Sequence, residues 1–140
     1  MLLREFPLSP RSSRDLRIGD FWSVALADGS LGCLQVIDLT SSGPGTLKTL
    51  VAGVVDWRGQ SPPTTSELAG RRIIDVGLTR IEAFTKIGSQ VLGNSDQTIG
   101  ASEFPSNYRD FKVGTIHHVW GWRALPQVVE KALSARRAGR

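Results

Sequence analysis

The chain contains few of the residues from which catalytic and metal centres are built. Its 140 residues include one cysteine, two histidines and one tyrosine. A single thiol forms no internal disulfide, so a disulfide-stapled fold is excluded. No apolar run reaches membrane-spanning length, and Arg4 and Glu5 come too early to leave room for a signal-peptide core. We therefore expect a cytoplasmic protein that has no membrane partner.

The histidines and the cysteine do not combine into a recognisable site. His117 and His118 are adjacent, and adjacent side chains of a strand point to opposite faces, so the pair is poorly placed to share a metal ion. Cys33 would need a neighbouring base to act as a nucleophile, and a lone cysteine within a strand is typically a small buried side chain. No paired carboxylate motif and no phosphate-binding loop occurs. The sequence predicts no catalytic residue, metal or cofactor.

Positive charge is concentrated at the two ends of the chain. The formal net charge is +4, with four arginines in the first 17 residues and five lysines or arginines in the last 18. Between them the chain is close to charge-balanced. This distribution is typical of solvated termini, although a basic protein is also a candidate for binding polyanions. Nucleic acid stays open as a partner without being the favoured one.

Strand patterns with turn signals between them begin after residue 16. Gly19-Asp20 is a turn signal that precedes a strand rich in β-forming residues. Asp28-Gly29 then supplies the positive-φ residue of a tight hairpin turn, and Leu31–Leu39 returns as the second strand. A third strand, residues 48–57, is apolar on both faces and so predicts a sheet covered on both sides. The first ordered segment is therefore predicted to have a structural role and to carry no catalytic group.

The later elements are shorter and less regular. Thr64 or Thr65 is predicted to cap a helical turn. Residues 71–84 begin as a strand, with Ile74, Val76 and Leu78 on one face and a bulge or bend at Gly77. Residues 87–92 are a candidate fifth strand, residues 93–112 form a long polar loop, and residues 113–122 form a last strand.

A C-terminal helix over residues 125–137 completes the pattern. Pro126 suits its first turn, and a single apolar stripe predicts one buried face. The stripe consists of Leu125, Val128, Val129, Ala132 and Leu133. Together the elements predict an α+β, β-rich domain: a curved, mostly antiparallel sheet or small barrel with a C-terminal helix. Residues 1–16 are predicted to be a flexible arm and residues 17–140 a single domain.

The four tryptophans are the largest candidates for core and interface side chains. Trp22, inside the first strand, is expected in the core. Trp57 ends a strand beside Arg58 and opens a proline-rich loop, so a core position and an exposed binding edge are both open for it. Trp120 and Trp122 share one face at period two, and we expect them to pack under the C-terminal helix.

Several of these segments resemble the bacterial immunity protein 26 family. The run Arg17–Asp20, the apolar strand after it, the turn at Leu26–Gly29 and the second strand are similar to the opening of that family. The run Val119–Trp122 is compatible with its closing strand. The residues that carry this structural motif are Gly19, Asp20, Asp28, Gly29, Trp120 and Trp122.

The resemblance implies a protein without catalysis of its own. It implies an antitoxin of interbacterial competition, which binds and neutralises a cognate protein toxin encoded nearby. Candidate contacts lie in the loop of residues 57–63 and the long loop of residues 93–112, because recognition residues tend to sit on loops of a rigid scaffold. The partner-binding candidates are Trp57, Arg58, Asp96, Tyr108 and Arg109. The oligomeric state is left open.

Two alternatives come from nucleic-acid biology. A Gly-Asp followed by a strand also opens the small-barrel endoribonuclease toxins similar to the MazF and PemK proteins. Those proteins usually carry an Arg-Pro at the entry to the second strand, where this chain has Leu31-Gly32. The other alternative is a non-catalytic RNA-binding barrel in which Trp57 or Trp122 supplies a stacking surface.

Overall fold

The computed structural model describes residues 4–39, 48–100 and 119–138. Its strands are β1 (Asp20–Ala25), β2 (Leu31–Leu39), β3 (Thr49–Gly59), β4 (Ile73–Arg80) and β5 (Gly93–Asn94); its helices are α1 (Thr65–Leu68), α2 (Glu82–Thr85) and α3 (Leu125–Ala138). The five strands of these ranges form one antiparallel sheet in the order β4-β3-β2-β1-β5. The predicted α+β fold with a C-terminal helix is confirmed, and its sheet is open rather than closed into a barrel.

The predicted hairpin of β1 and β2 is confirmed. The two strands pair antiparallel, from Ala25 opposite Leu31 at the turn to Phe21 opposite Gln35. Gly29 has a φ of 88°, which a glycine adopts without a Cβ penalty. Within the turn, the backbone N–H of Ser30 donates to Asp28 Oδ1 over 2.9 Å, and the Ser30 hydroxyl donates to the same oxygen. These hydrogen bonds lower the pKa of Asp28.

Apolar side chains cover both faces of the sheet. One cluster contains Trp22 and Leu34 and packs under α2 and α3. The other contains Phe21 and Trp57 and packs against Leu68 of α1. Strand β3 contributes to both clusters, which confirms the prediction of a strand that is buried on its two faces.

The irregularity of β4 lies at a different residue from the one predicted. The pairing shifts by one residue between Val54 and Val55 of β3, which leaves Ile74 as the extra residue on β4. Ile74 therefore packs against the cluster under α3, whereas Val76 and Leu78 lie in the other cluster. The prediction that these three side chains share one face is wrong for Ile74.

Gly77 makes room for an aromatic ring and forms no bulge. It pairs in regular register with Ala52, so the predicted bulge at Gly77 is wrong. A Cβ at this position would lie 2.4 Å from the ring of Trp120. Trp120 is buried there, and its backbone oxygen accepts a hydrogen bond of 2.9 Å from Thr79 Oγ1. The missing side chain of Gly77 is what lets Trp120 lie on the sheet.

The chain enters α3 through a tight turn. Val119 forms a parallel bridge with Leu78, and residues 122–124 form a 3-10 turn, so the last strand predicted over 113–122 does not extend to Trp122. Residues 113–118 lie outside the described ranges. Trp120 belongs to the cluster under α3 and Trp122 packs against it, as predicted.

Helix α3 buries the predicted stripe. Leu125 and Val129 are fully covered, Val128, Ala132 and Leu133 are partly covered, and Pro126 lies in the first turn. The helix approaches β2 at Gly32, where a Cβ would lie 2.4 Å from Val129 Cγ1. None of the helices in the described ranges has the length and apolarity needed to cross a membrane.

The helical turn α1 has the predicted cap. Thr64 accepts a hydrogen bond from the backbone N–H of Glu67, and the carboxylate of Glu67 accepts one from the backbone N–H of Thr64. This reciprocal pair is a capping box, which satisfies two backbone donors at once.

The fifth strand lies later than predicted. Residues 87–92 were expected to form it, but only Val91 forms a bridge there, to Leu8, and β5 itself is Gly93–Asn94. The long loop predicted from residue 93 thus begins in strand, and Ile99 forms a further bridge to Arg72. Residues 101–112 of that loop lie outside the described ranges.

The N-terminal segment, predicted as a flexible arm, contacts the sheet at several points. Besides the bridge from Leu8, Leu16 is buried in the cluster under α3, and Arg4 pairs with Asp20 at the start of β1. The domain boundary after residue 16 stays a prediction.

Candidate functional site

The Gly19-Asp20 motif fixes the first half of β1. Asp20 is fully buried, and its two carboxylate oxygens accept four hydrogen bonds. Arg4 donates two of them, of 2.6 and 2.7 Å; the backbone N–H of Arg17 and the side-chain amide of Asn94 donate the others, each of 2.9 Å. The hydrogen bonds from Arg4 raise the pKa of its guanidinium. The motif is therefore a structural anchor that holds β5 and the N-terminal segment together.

A second polar cluster supports the same end of β1. Gln35 is buried on β2, and its amide donates to the backbone oxygens of Gly19, over 3.1 Å, and Ser95. Thr98 Oγ1 donates to Gln35 Oε1 over 2.7 Å. The segment after β5 is thereby held against the first half of the hairpin.

The second half of β1 is an open edge. Strand β5 pairs only with Asp20 and Phe21. On that side the backbone oxygens of Gly19 and Phe21 accept hydrogen bonds from Ser95 and Leu92, of 2.9 and 2.8 Å. Because outward groups recur at every second residue of a strand, the N–H and C=O groups of Ser23 and Ala25 face the same side. In the described parts of the chain nothing hydrogen-bonds to them.

Two grooves lie beside this open edge, and both are bounded by α3. The smaller groove, of about 210 Å³, lies between Trp22–Ala25, the segment after α2 and the start of α3. The larger groove, of about 470 Å³, lies between Ala25–Ala27 and the exposed side of α3 from Pro126 to Ser134. Both are bounded by Ala25 and Pro126, so they meet at the end of β1.

The smaller groove carries side chains of the kind that anchor protein interfaces. Ile87 is 57% exposed at its rim. The guanidinium of Arg123 lies 4.7 Å from the ring centre of Trp122. Aromatic residues and arginine are enriched among the side chains that contribute most to protein–protein binding. Trp22 lies at the inner wall, and its buried indole N–H has no acceptor among the described residues.

The charge beside the open edge is positive. Glu130, on the larger groove, is paired with Arg58 of β3. Arg123 and Lys131, one at each groove, form no ion pair with any residue of the described ranges. An extended segment lying along this edge would therefore meet two uncompensated cations.

The predicted contact residues do not gather at this edge. Trp57 is 4% exposed, packs in the cluster near α1 and donates from Nε1 to Glu67 Oε2 over 3.4 Å. Of the two alternatives for this ring, the core position is right and the exposed edge is wrong. Arg58 points to α3 and pairs with Glu130. Asp96 is exposed after β5, while Tyr108 and Arg109 lie outside the described ranges. Their part in binding a partner stays a prediction.

The candidate catalytic groups give no assembled site in the described ranges. Cys33 is buried, and this burial raises its pKa, which keeps the thiol protonated and a poor nucleophile. Among the described residues there is no cluster of three or more histidine, cysteine, aspartate or glutamate side chains that could hold a metal. His117 and His118 lie outside the described ranges.

A separate basic cleft lies near the other end of the sheet. It has a volume of about 320 Å³ and is lined by Arg11, Lys48, Arg80 and Lys86. Glu82 is its one acidic lining residue and pairs with Arg80 over 3.2 Å. The cleft therefore carries a net positive charge from exposed side chains.

Comparison with known proteins adds no relative. No protein-family model matches the chain, and neither a curated protein nor a solved structure matches it.

Proposed function

We propose that this protein is a non-catalytic immunity protein, which binds a toxin by accepting one strand of it at the open edge of β1. The observation that carries this proposal is the pair of residues Ser23 and Ala25, whose outward N–H and C=O groups are unpaired among the described residues. Unpaired edge groups are a template for another chain. In strand addition, main-chain hydrogen bonds give affinity and flanking pockets give specificity.

The surroundings of the edge support the same function. The two grooves provide pockets between an added strand and α3, and Trp122, Arg123 and Ile87 provide anchors. The resemblance of the hairpin to the immunity protein 26 family supplies the class of partner, a toxin domain. The buried, protonated thiol of Cys33 agrees with a role in binding rather than in chemistry.

Co-expression with the product of the adjacent gene tests the proposal. We expect rescue from toxicity and co-purification of the two proteins. In the complex, the amides of Ser23 and Ala25 should become protected from hydrogen exchange, because they then donate to the partner strand. A complex that leaves both amides as exchangeable as in the free protein would place the contact elsewhere.

A proline substitution separates the backbone contact from the side-chain contact. Ala25→Pro removes an N–H that the described fold does not use and should abolish co-purification while the protein stays folded. Ala25→Ser keeps the N–H and serves as the matched control, with binding retained. Equal binding by both variants would contradict strand addition at this residue.

The basic cleft favours a second candidate function, binding of RNA. Four cationic side chains around one cleft are the kind of surface that attracts a polyanion. The double substitution Arg11→Ala and Lys86→Ala should then weaken binding to single-stranded RNA and reduce its salt dependence. Toxicity of the chain expressed alone, with RNA cleavage by the pure protein, would instead favour the endoribonuclease alternative.

A further inference from the structure

We infer that the smaller groove beside β1 is a carboxylate-binding pocket, which selects a partner strand carrying an acidic side chain. The inference rests on the proposed strand addition, because the same strand would bring this side chain into the groove. It specifies the chemistry of the partner segment: extended, acidic and bearing an apolar stem.

The first argument is the positive potential at one end of the groove. Helix α3 has 14 residues and begins at Leu125, which together with Pro126 lines the groove. The 3-10 turn of residues 122–124 leads directly into α3, and the dipole of this helical segment favours an anion near its start. Arg123, which lines the same groove, adds a full positive charge beside this helix start.

The second argument is the contact between Arg123 and the ring of Trp122. Its guanidinium stacks on Trp122 at 4.7 Å from the ring centre, and it forms no salt bridge with any residue of the described ranges. A guanidinium held by an aromatic face loses less side-chain entropy when it pairs with a carboxylate. Its planar fork of donors matches a carboxylate in two hydrogen bonds.

The third argument is an unused donor in the groove wall. The indole Nε1 of Trp22 is buried and has no acceptor in the described parts of the chain. Leaving a buried donor unpaired costs about 1–3 kcal/mol, so an incoming acceptor oxygen would recover that cost. Trp22 belongs to the lining of this groove but is itself 0% exposed, so an acceptor on the ligand must open the groove wall to reach this donor.

The remaining walls set the shape of the side chain. Val24, Ala83 and Ile87 are apolar, and the groove volume of about 210 Å³ is of side-chain size. The apolar walls can contact the CH2 groups of a glutamate side chain, while its carboxylate pairs with Arg123 and accepts from Trp22 Nε1. A lysine in the same place would meet Arg123 and the helix start as like charges.

Two short peptides that can bind as extended strands test the inference, with the full-length protein as the receptor. The probes are acetyl-Val-Glu-Val-Glu-Val-amide and its glutamine counterpart, acetyl-Val-Gln-Val-Gln-Val-amide. We expect the glutamate peptide to bind at least tenfold more tightly in 50 mM salt. It should shift the indole Nε1–H resonance of Trp22 and protect the amides of Ser23 and Ala25.

Two protein variants locate the carboxylate. Arg123→Gln should remove the preference for glutamate over glutamine and leave the amide protection in place. Arg80→Gln, which changes a cation of the basic cleft, is the matched control and should keep the preference. The folding of each variant is checked by its thermal unfolding.

The possible outcomes distinguish a failure of the carboxylate pocket from a failure of the strand addition on which it rests. If both peptides protect the two amides equally and Arg123→Gln changes nothing, the carboxylate pocket is wrong while strand addition stands. If the glutamate peptide binds without protecting either amide, strand addition at β1 is wrong. If neither peptide binds at millimolar concentration, the inference is overturned as well, since an extended acidic segment is then not the ligand.

Discussion

The two halves of β1 differ in how their outer edge is used. From Gly19 to Phe21, that edge is bonded to β5 and to the residues around it, and Asp20 is surrounded by four donors. From Ser23 to Ala25, the same strand has no neighbour in the described ranges on its outer side and faces two grooves. One strand thus serves as an anchor at its beginning and has a free edge at its end, within six residues.

The largest effect is expected from Asp20→Asn, which breaks the anchored half. The NH2 group of the new asparagine replaces one carboxylate oxygen and faces the donors that surround Asp20. The substitution also leaves Arg4, whose side chain is 17% exposed, without its negative partner. We expect a loss of about 3 kcal/mol in the free energy of unfolding, at the lower end for a broken buried pair. Urea unfolding measures it. Asp15→Asn, an exposed carboxylate of the same segment, is the control, and an equal loss there would contradict the anchor.

A pair of proline variants tests whether the two sides of the open half differ. The N–H of Val24 faces β2, where Val24 pairs with Gly32, whereas the N–H of Ala25 faces outward. Val24→Pro should therefore cost about 2 kcal/mol more stability than Ala25→Pro, since it removes a ladder hydrogen bond and leaves a carbonyl unpaired. Thermal and urea unfolding of both variants give the difference. Equal losses would show that the outward N–H of Ala25 is also used by the fold.

The stability of the protein is expected to fall at alkaline pH because of Cys33, which lies on β2 next to the open half of β1. Cys33 lies opposite Ser23 in the register, and burial raises its pKa in the folded protein. Above about pH 8.5 the unfolded thiol releases its proton and the folded one keeps it, so stability falls by about 1.4 kcal/mol per pH unit from this group. Urea unfolding between pH 8 and 10 measures the slope.

The control for the alkaline response is Cys33→Ala, which has no thiol to titrate. Its stability should be lower at neutral pH, because a small buried side chain is lost, and it should fall less steeply with pH. Identical slopes for the two proteins would show that Cys33 ionises as readily in the folded state as in the unfolded one.

The smallest effect is expected at the ion pair that joins α3 to β3. Arg58 and Glu130 are 27% and 35% exposed, so water and salt screen their attraction. Glu130→Gln should lower the free energy of unfolding by less than about 1 kcal/mol, and the loss should shrink in 1 M salt. A loss comparable to that of Asp20→Asn would mean that the wall of the larger groove is held as firmly as the anchored half.

Local patterns predicted most of the scaffold. The Asp28-Gly29 turn, the capping box of Thr64 and the stripe of α3 depend on residues close in sequence, and each was predicted at the right place. The bulge at Ile74 was missed because it arises from pairing with β3, which no local pattern records.

The candidate site was missed for the same reason. The open edge exists because β5 pairs with only two residues of β1, across about 70 residues of sequence. Nothing within β1 itself marks where its neighbour ends. The sequence left Trp57 open between core and exposed edge because a proline-rich loop follows it, and what decides between them, the packing of α1 and Glu67 against the ring, is a tertiary contact. One local clue was available for the groove: Trp122-Arg123 next to the start of a helix.

The absent side chain of Gly32 has a consequence for the width of the larger groove. Val129 occupies the space that a Cβ at position 32 would need. Helix α3 can therefore pack this closely on the hairpin only because residue 32 is glycine. Gly32 lines neither groove, yet we expect a larger residue at this position to displace α3, because its Cβ would lie 2.4 Å from Val129 Cγ1. The width of the larger groove therefore depends on a residue that lies outside its lining.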